Sequence, residues 1–388
     1  MIKQFFDKIR PNFEEGGKLH AFRSVFEGME TFMLVPNTTS KVGVSIHDAI
    51  DSKRIMSFVV IALIPALLFG MYNIGYQNAA AAGKLAETGF WSMFLYGFLL
   101  VLPKIVVSYV VGLGIEFAVA QWKKEEIQEG YLVSGILIPL IVPVNCPLWM
   151  LALAVAFSVI ICKEIFGGTG MNIFNPALIA RAFLFFSYPT SMSGDKVWVA
   201  GKEVFGLGYN LPDAATMATP LGEVGAGLQP TASLSDMIVG LIPGSIGETS
   251  VIAIAIGALI LLYTQIASIR TMTSVFVGGV LVAVLFNMAG MEGNAVANMP
   301  WYEHIVTGGF CFGAVFMATD PVTSSRTEKG QYVYGFLIGA LAILIRVLNP
   351  GYPEGMMLAI LFMNMLAPLI DYCVIQRNIN KRMKRVQK

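Results

Sequence analysis

The chain has 388 residues, of which 56% are hydrophobic and 13% are charged, and its mean hydropathy is +0.68. A water-soluble domain of this size carries more charge, so the composition indicates a protein whose solvent is lipid. A formal net charge of +1 argues against a nucleic-acid partner, and neither the four cysteines nor the three histidines show metal-ligand or disulfide spacing.

The first 54 residues have mixed polarity and carry charges of both signs. They contain no short apolar core followed by a small-residue cleavage site, which is what a signal peptide requires. We therefore expect residues 1–54 to form a cytoplasmic N-terminal head.

Apolar runs follow the head, and most of them approach the roughly 20 residues that a helix needs to cross the hydrocarbon layer. Two groups of five runs flank a longer segment, residues 189–247. This pattern predicts an all-α membrane protein of about ten transmembrane helices, built as two inverted repeats of five, residues 55–188 and 248–375, and followed by a basic tail, residues 376–388. The runs are 55–74, 93–121, 131–144, 147–165, 173–188, 248–266, 271–289, 301–319, 331–348 and 355–375.

Lysine and arginine are concentrated in the head, in the loops at 121–130 and 320–330, and in the tail. With ten spans these four regions lie on one side of the membrane. The positive-inside rule then places both termini in the cytoplasm of a bacterial inner-membrane protein, and residues 189–247 in the periplasm.

Proline beside an amide or a carboxylate interrupts comparable places in the two halves. Asn175-Pro176 precedes the fifth run, Asn349-Pro350 precedes the tenth, and Asp320-Pro321 follows the eighth. Backbone groups freed at such breaks need a partner inside a membrane. The breaks indicate either a cofactor or ion site at the repeat interface or ordinary turns at the ends of spans, and the spacing leaves both open.

A stretch that reads D-A-A-T-M-A-T ends at Thr219, in the segment predicted to be periplasmic. It resembles the flavinylation motif D-x-x-[S/T]-G-A-[T/S], with Met217 in the place of glycine. The resemblance implies that Thr219 carries FMN through a phosphoester bond, installed by a periplasmic flavin transferase that recognises Asp213, Thr216 and Ala218. Without the resemblance the same letters describe a threonine-rich turn. The competing hydroxyls at residues 247–250 are expected to cap the sixth span.

Residues 163–178 and 316–322 resemble segments shared by the B subunit of the Na⁺-translocating NADH:quinone oxidoreductase and the D subunit of the Rnf complex. The resemblance extends over nearly the whole chain, and the long head favours the first of these two branches of the family. It implies a protein that passes electrons from covalent FMN through riboflavin to ubiquinone or menaquinone, coupled to Na⁺ translocation. The A, C, D, E and F subunits are implied as partners, and no activity is expected from this chain alone.

A loop after the fourth run combines glycines with two amides. Gly168, Thr169, Gly170, Asn172 and Asn175 offer N–H donors and amide acceptors, which suit the polar edge of an isoalloxazine. The resemblance implies a non-covalent riboflavin near the cytoplasmic side, so we assign it to this loop. The alternative is a close helix crossing that glycine permits.

The family's quinone site involves a glycine-rich stretch of the second run, which here contains Gly112, Leu113 and Glu116. A flat quinone ring can approach a helix where a Cβ is missing. Glycines in a membrane helix also mark plain helix packing, so this pattern alone leaves both interpretations open.

Acidic residues within the runs are candidates for a Na⁺ pathway, because a charge at the bilayer centre costs at least about 2.5–3.5 kcal/mol and is rarely retained without a function. Glu116, Asp320 and Asp371 supply the hard oxygen ligands that sodium prefers. The alternatives are pairing with Arg181 or Arg346, or capping at the membrane interface.

No G-x-G-x-x-G motif is present, so NADH should be oxidised by a partner protein of the complex. Two other functions use the same features. One is that of the D subunit of an Rnf complex, which exchanges electrons with ferredoxin and NAD. The other is a flavin-free transporter with inverted repeats, which leaves the D-A-A-T-M-A-T stretch unexplained.

Overall fold

The computed structural model describes residues 2–14, 52–123, 130–211, 217–349 and 354–386, and in addition positions 17, 26, 30, 34, 42, 43 and 351. Within these residues the regular structure is helical, and the only extended pairing is an isolated bridge between Val204 and Leu207. Apart from helix α1 (Ile2–Ile9) and a following 3₁₀ turn, most of the predicted head lies outside the described residues.

The first half contains a long helical pair followed by shorter helices. Their bounds are α2 (Ser52–Ala81), α3 (Phe90–Lys123), α4 (Tyr131–Leu140), α5 (Leu148–Phe157) and α6 (Pro176–Ser187). Helix α5 continues into a π-helical segment, Ser158–Glu164. Asn175 starts α6 as its N-cap, because its side chain accepts a hydrogen bond from the backbone N–H of Ala177 at 2.9 Å.

Three short helices occupy the middle segment, α7 (Pro189–Met192), α8 (Pro220–Gly225) and α9 (Leu234–Val239). Two amides, buried Asn78 and exposed Asn145, hold this segment against the first half. The Asn78 side chain in α2 donates to the carbonyl oxygens of Ala200 and Tyr209 at 2.7 and 3.0 Å, and that of Asn145 donates to the carbonyl oxygen of Lys196 at 2.7 Å.

The second half ends with a pair of long helices, whereas the first half begins with one. Its helices are α10 (Val251–Tyr263), α11 (Ile269–Ala289), α12 (Trp301–Val306), α13 (Phe310–Phe312), α14 (Glu328–Leu348) and α15 (Met356–Val386). A second π-helical segment, Gly313–Met317, follows α13. Ser250 caps α10 by accepting from the N–H of Ala253 at 3.2 Å, which confirms the cap predicted at residues 247–250.

Five helices in the described part of the chain are long and apolar enough to cross a membrane, so the prediction of a multi-pass membrane protein is confirmed. Their bounds are Arg54–Ala81, Phe90–Lys123, Ile269–Ala289, Glu328–Leu348 and Met356–Val386. The other apolar runs hold shorter helices, such as α6 with 12 residues. A helix of that length rises about 18 Å, less than the ~30 Å hydrocarbon layer. The count of ten spans and their inverted repeat stay predictions.

Each half contains a closely packed pair of helices, and both halves contribute to one hydrophobic core. Helix α2 packs along α3, and α11 along α14, while α10 against α2 and α6 against α15 join the halves. The α11–α14 crossing is very close, since a Cβ added to Gly339 would lie 1.9 Å from the carbonyl oxygen of Val275. The tail predicted at 376–388 is not a separate element, because α15 continues without a break to Val386.

Candidate functional site

Two cavities lie on either side of helix α6. The larger cavity has a volume of about 650 Å³ and the smaller cavity about 90 Å³. Pro176, at the start of α6, lines the smaller cavity, whereas Arg181 and Phe185, further along the same helix, line the larger one. Helix α6 therefore forms part of both walls.

Thr219 lies in the wall of the larger cavity and caps helix α8. Its hydroxyl accepts a hydrogen bond from the N–H of Gly222 at 3.1 Å. Gly222 also keeps this place open, because a Cβ there would lie 3.2 Å from the Thr219 hydroxyl oxygen. Of the predicted recognition residues, Ala218 is half-buried next to Thr219, while Asp213 and Thr216 lie outside the described residues.

A buried ion network in the larger cavity joins the two halves of the chain. The guanidinium of Arg181, in α6, donates to Glu248 at 2.6 Å through Nη1 and pairs with Glu354 through Nη2. Glu248 precedes α10 and Glu354 precedes α15, so both carboxylates belong to the second half.

A second arginine stands in the same wall. Arg346, in α14, is almost completely buried, and it donates to the backbone carbonyl oxygens of His304, Thr307 and Glu354 at 2.6, 3.3 and 3.2 Å. The aromatic rings of Trp198 and Phe185 also line this cavity. Asp195 lines it as well, so the larger cavity combines two cations, three carboxylates, aromatic surface and the Thr219 hydroxyl.

The loop predicted to hold riboflavin lies at the smaller cavity. Thr169, Asn172 and Asn175 line it, and Gly168 and Gly170 adopt positive φ angles of 96° and 90° in the same loop. Positive φ is accessible to glycine without a steric penalty, so these two residues set the path of the loop.

Both amides of this loop are used in hydrogen bonds within the protein. Asn172 accepts from the N–H of Gly170 at 3.3 Å and donates to the carbonyl oxygen of Phe174 at 2.9 Å. Asn175 caps α6 and donates to a carboxylate oxygen of Asp320 at 3.3 Å. A ligand in the smaller cavity would have to compete with these bonds.

Asp320 and Asn175 bring together the proline breaks of the two halves. The Asp320 carboxylate accepts from the Asn175 amide, from the N–H of Val322 at 3.0 Å and from the Thr323 hydroxyl at 3.0 Å. Asp320 also lines the smaller cavity. The sequence left open that Asp320 pairs with Arg181 or Arg346. In the structure its hydrogen-bond donors are these uncharged groups.

Glu116 forms a buried ion pair with Lys163, which belongs to the first π-helical segment. Both side chains are only 4% exposed, and the second carboxylate oxygen of Glu116 has no hydrogen-bond partner among the residues that the structure describes. Lys163 also lines the smaller cavity. The partner of Glu116 and the side chain of Asp320 therefore line the same cavity.

Asp371 lies apart from both cavities. Its carboxylate accepts from the Ser325 hydroxyl at 2.6 Å, from the Arg326 N–H at 2.8 Å and from the Thr327 hydroxyl at 2.6 Å. Thr327 is the N-cap of α14, so the local arrangement corresponds to the capping alternative. The three predicted Na⁺ ligands do not form one cluster.

The predicted quinone residues lie where α3 meets α4. A Cβ added to Gly112 would lie 1.9 Å from the ring of Tyr131, whose hydroxyl is hydrogen-bonded to Ser108 at 3.1 Å. The space left by Gly112 is thus filled by this chain's own tyrosine, Leu113 is half-buried, and contact with a quinone stays a prediction.

The sequence did not identify the partners of Arg181. Glu248 was assigned only to a helix cap, and Glu354 was not singled out. One available signal was that Glu248 is the single acidic residue between Asp236 and Glu292, in an otherwise apolar stretch. An isolated carboxylate in such a stretch should have a buried cationic partner.

Comparison with known proteins extends over the whole chain. The B subunits of Na(+)-translocating NADH-quinone reductase from Chromohalobacter salexigens and Pseudoalteromonas atlantica are 45% and 44% identical to it over 99% of its length, covering 96% and 99% of their own. The protein of the same name from Neisseria meningitidis serogroup B is 42% identical, with 99% of both chains covered.

A family profile agrees with these relatives, since it matches residues 39–380 and so includes both cavities and both halves of the helical core. Identity above 40% extends along nearly the whole of these chains. The chain belongs to the NQR2, RnfD, RnfE family.

Proposed function

We propose that this chain is the B subunit of a bacterial Na⁺-translocating NADH:quinone reductase and that it carries FMN on Thr219. The names of the relatives support the assignment to this enzyme. The structural observation that carries the flavin proposal is the position of Thr219 in the wall of a cavity of about 650 Å³.

The larger cavity fits an FMN group by size and by chemistry. Ligand cavities in proteins generally measure about 300–1,000 Å³ and combine apolar walls with a few fixed polar groups. Thr219 would hold the phosphate, Trp198 and Phe185 offer aromatic surface, and Arg181 offers a buried guanidinium. When bound, FMN supplies a carrier that accepts and releases electrons.

The residues of this chain have roles that do not depend on the cofactor's own chemistry. The α8 cap fixes the Thr219 hydroxyl, and the Arg181 network keeps α6 in place against the second half. A guanidinium in a low-dielectric wall interacts more strongly with a negative charge than it would in water. The charge of Arg181 is already balanced by Glu248 and Glu354, so this attraction holds the two halves together and leaves no excess positive charge for a group in the larger cavity.

The proposal also includes a non-covalent riboflavin at the loop formed by Gly168, Thr169, Gly170, Asn172 and Asn175. The smaller cavity beside this loop does not accommodate riboflavin in this structure. A volume of about 90 Å³ is well below that of a flavin site. The hydrogen bonds of Asn172 and Asn175 would have to rearrange first.

The remaining parts of the proposal concern the ion, the quinone and the partners. Glu116, Asp320 and Asp371 are proposed for the Na⁺ pathway, and Gly112, Leu113 and Glu116 for contact with ubiquinone or menaquinone. Electrons are supplied by the other proteins of the complex, proposed to be its A, C, D, E and F subunits. A periplasmic flavin transferase modifies Thr219, which requires the cytoplasmic termini predicted from the charges.

The deciding experiment is in-gel flavin fluorescence of the denatured chain, expressed together with a flavin transferase. We expect fluorescence in the wild type and in Thr219→Ser, and none in Thr219→Ala, because only the first two have a hydroxyl to esterify. Thr231→Ala is the matched control, since Thr231 lies in the same segment but is hydrogen-bonded to Glu223.

An unlabelled wild type would remove the flavin proposal and favour a flavin-free transporter with the same helices. Equal fluorescence in wild type and Thr219→Ala would move the attachment to another residue. Labelling at Thr219 without quinone reductase activity in the assembled complex would favour the Rnf branch of the family.

A further inference from the structure

The last part of helix α15 extends beyond the layer where this chain meets the membrane surface. The predicted span in α15 ends at residue 375, one turn after Asp371, whose carboxylate accepts hydrogen bonds from the Ser325 hydroxyl and the Arg326 N–H. From residue 375 to Val386 the helix rises about 16 Å, whereas the headgroup region is only about 5–8 Å thick on each side. Most of this stretch therefore stands past the headgroups.

We call residues 375–386 the C-terminal arm. Every residue of the arm is exposed, so it is not packed against the described part of its own chain. A helix of about 12 residues without tertiary contacts is only marginally stable in water. An arm that is helical over its whole length is suited to packing against another molecule.

The arm has two distinct faces. At about 100° per residue, Ile375, Ile379, Met383 and Val386 fall within an arc of roughly 80°. All four side chains are exposed, Ile379 by 43% and Met383 by 51%. They form a continuous apolar stripe along the length of the arm.

Charge on the arm has one sign only. Five basic residues occur in residues 375–386 and no acidic residue does; the basic residues are Arg377, Lys381, Arg382, Lys384 and Arg385. By the same angular spacing, Arg382 lies about 20° from the edge of the apolar stripe, whereas Lys381 lies on the opposite side of the helix. Arg382 can therefore take part in a contact made by the stripe, and Lys381 points away from it.

We propose that the C-terminal arm docks its apolar stripe into a groove on a cytoplasmic protein partner, and that the groove has an apolar floor and an acidic rim that meets Arg382. A helix that presents apolar residues at this spacing is a common ligand for such grooves. The acidic rim follows from five basic residues without a counter-charge. The proposal does not depend on the flavin at Thr219.

An anionic bilayer is the other surface that attracts a basic amphipathic helix, but the geometry disfavours it. A membrane-bound helix lies flat, so that its apolar face reaches the acyl chains. The arm continues a spanning helix without a break, which keeps Met383 and Val386 beyond the headgroups. A protein can contact the arm along its whole length, whereas the bilayer cannot contact the part beyond the headgroups.

Site-specific photo-crosslinking in the intact membrane complex tests the proposal. A photoreactive phenylalanine analogue replaces Ile379 in one variant and Lys381 in the other, and the crosslinked peptides are identified by mass spectrometry. We expect Ile379 to crosslink to a different, cytoplasmic protein chain of the complex at a segment with Asp or Glu, and Lys381 to give little product. Crosslinks to lipid, to a second copy of this chain, or at equal yield from both positions would overturn the proposal.

A charge-reversal pair gives an independent readout. Arg382→Glu and Lys381→Glu change the net charge equally, but only the first meets the proposed rim. We expect Arg382→Glu to weaken retention of the crosslinked partner at least about tenfold, which corresponds to about 1.4 kcal/mol, and Lys381→Glu to leave it within about twofold. Equal losses in the two variants would indicate general attraction to anionic lipid and would contradict the proposal. Dye-detected unfolding shows that both variants are folded.

Discussion

The larger and the smaller cavity differ in how their walls are closed. Around the larger cavity, Arg181 spans from one half of the chain to two carboxylates of the other, and a volume of about 650 Å³ remains open. Around the smaller cavity, the breaks of the two halves contact each other directly through Asn175 and Asp320, and only about 90 Å³ remains. A long side chain bridges the halves and keeps them apart, whereas direct loop contact closes the space.

This difference separates the two flavin predictions. The covalent FMN was assigned to a position that the structure places in a cavity of suitable size, while the riboflavin was assigned to a loop whose amides are already hydrogen-bonded to the protein. Binding of FMN at Thr219 needs no rearrangement of the fold. Binding of riboflavin at the loop needs the contact between Asn175 and Asp320 to open.

The largest effect is expected from Arg181→Met. It leaves Glu248 and Glu354 buried without their guanidinium partner, and breaking a buried ion pair in this way costs about 3–5 kcal/mol. Thermal unfolding in detergent, followed with a thiol-reactive dye, measures the loss because Cys146, Cys162 and Cys311 are buried free thiols. The triple variant with Glu248→Gln and Glu354→Gln should recover part of the stability. An unchanged unfolding temperature in Arg181→Met would show that the network does not hold the halves together.

A smaller loss is expected at the smaller cavity from Lys163→Met. Only one carboxylate, that of Glu116, is left without its partner, so we expect a cost of about 3 kcal/mol. Adding Glu116→Leu removes the remaining charge, and the double variant should be more stable than Lys163→Met alone in the same dye assay. A double variant that is less stable than the single one would mean that Glu116 has a stabilising role beyond the ion pair.

The smallest loss of stability is expected from Gly112→Ala, which tests how tightly α3 packs against α4. The new Cβ would overlap the Tyr131 ring, and overpacking of this kind costs about 1–3 kcal/mol. Gly114→Ala is the control on the same helix, since no atom lies within 4 Å of its Cβ position. Equal unfolding temperatures for the two variants would contradict the packing account and would favour the quinone interpretation of Gly112.

Sequence reasoning located the helices well because apolar runs of this length have few other outcomes in a membrane protein. It was less informative about where helices are interrupted. The run at 301–319 contains a break at Thr307, Gly308 and Gly309, and the two glycines adopt positive φ angles of 64° and 68°. A pair of glycines permits such a break, but whether it occurs is decided by packing against Arg346 and Glu248.

The candidate site was predictable only in part for a similar reason. Thr219 was identified because a motif surrounds it in the sequence. The network of Arg181, Glu248 and Glu354 joins residues that are 67 and 173 positions apart, and no local pattern indicates such a pairing. Glu116 was singled out as a buried acid, but its partner Lys163 became evident only when the π-helical segment was placed against α3.

The position of α6 between the two cavities has an electrical consequence. Pro176 and Arg181 line opposite cavities and are five residues apart, which is about 7.5 Å of helix rise. If water enters the two cavities from opposite sides of the membrane, the insulating layer here is much thinner than the ~30 Å of the surrounding bilayer. The membrane voltage then falls over this short distance, and an elementary charge that crosses it gains or loses about 2.3 kcal/mol per 100 mV within a single stretch of one helix.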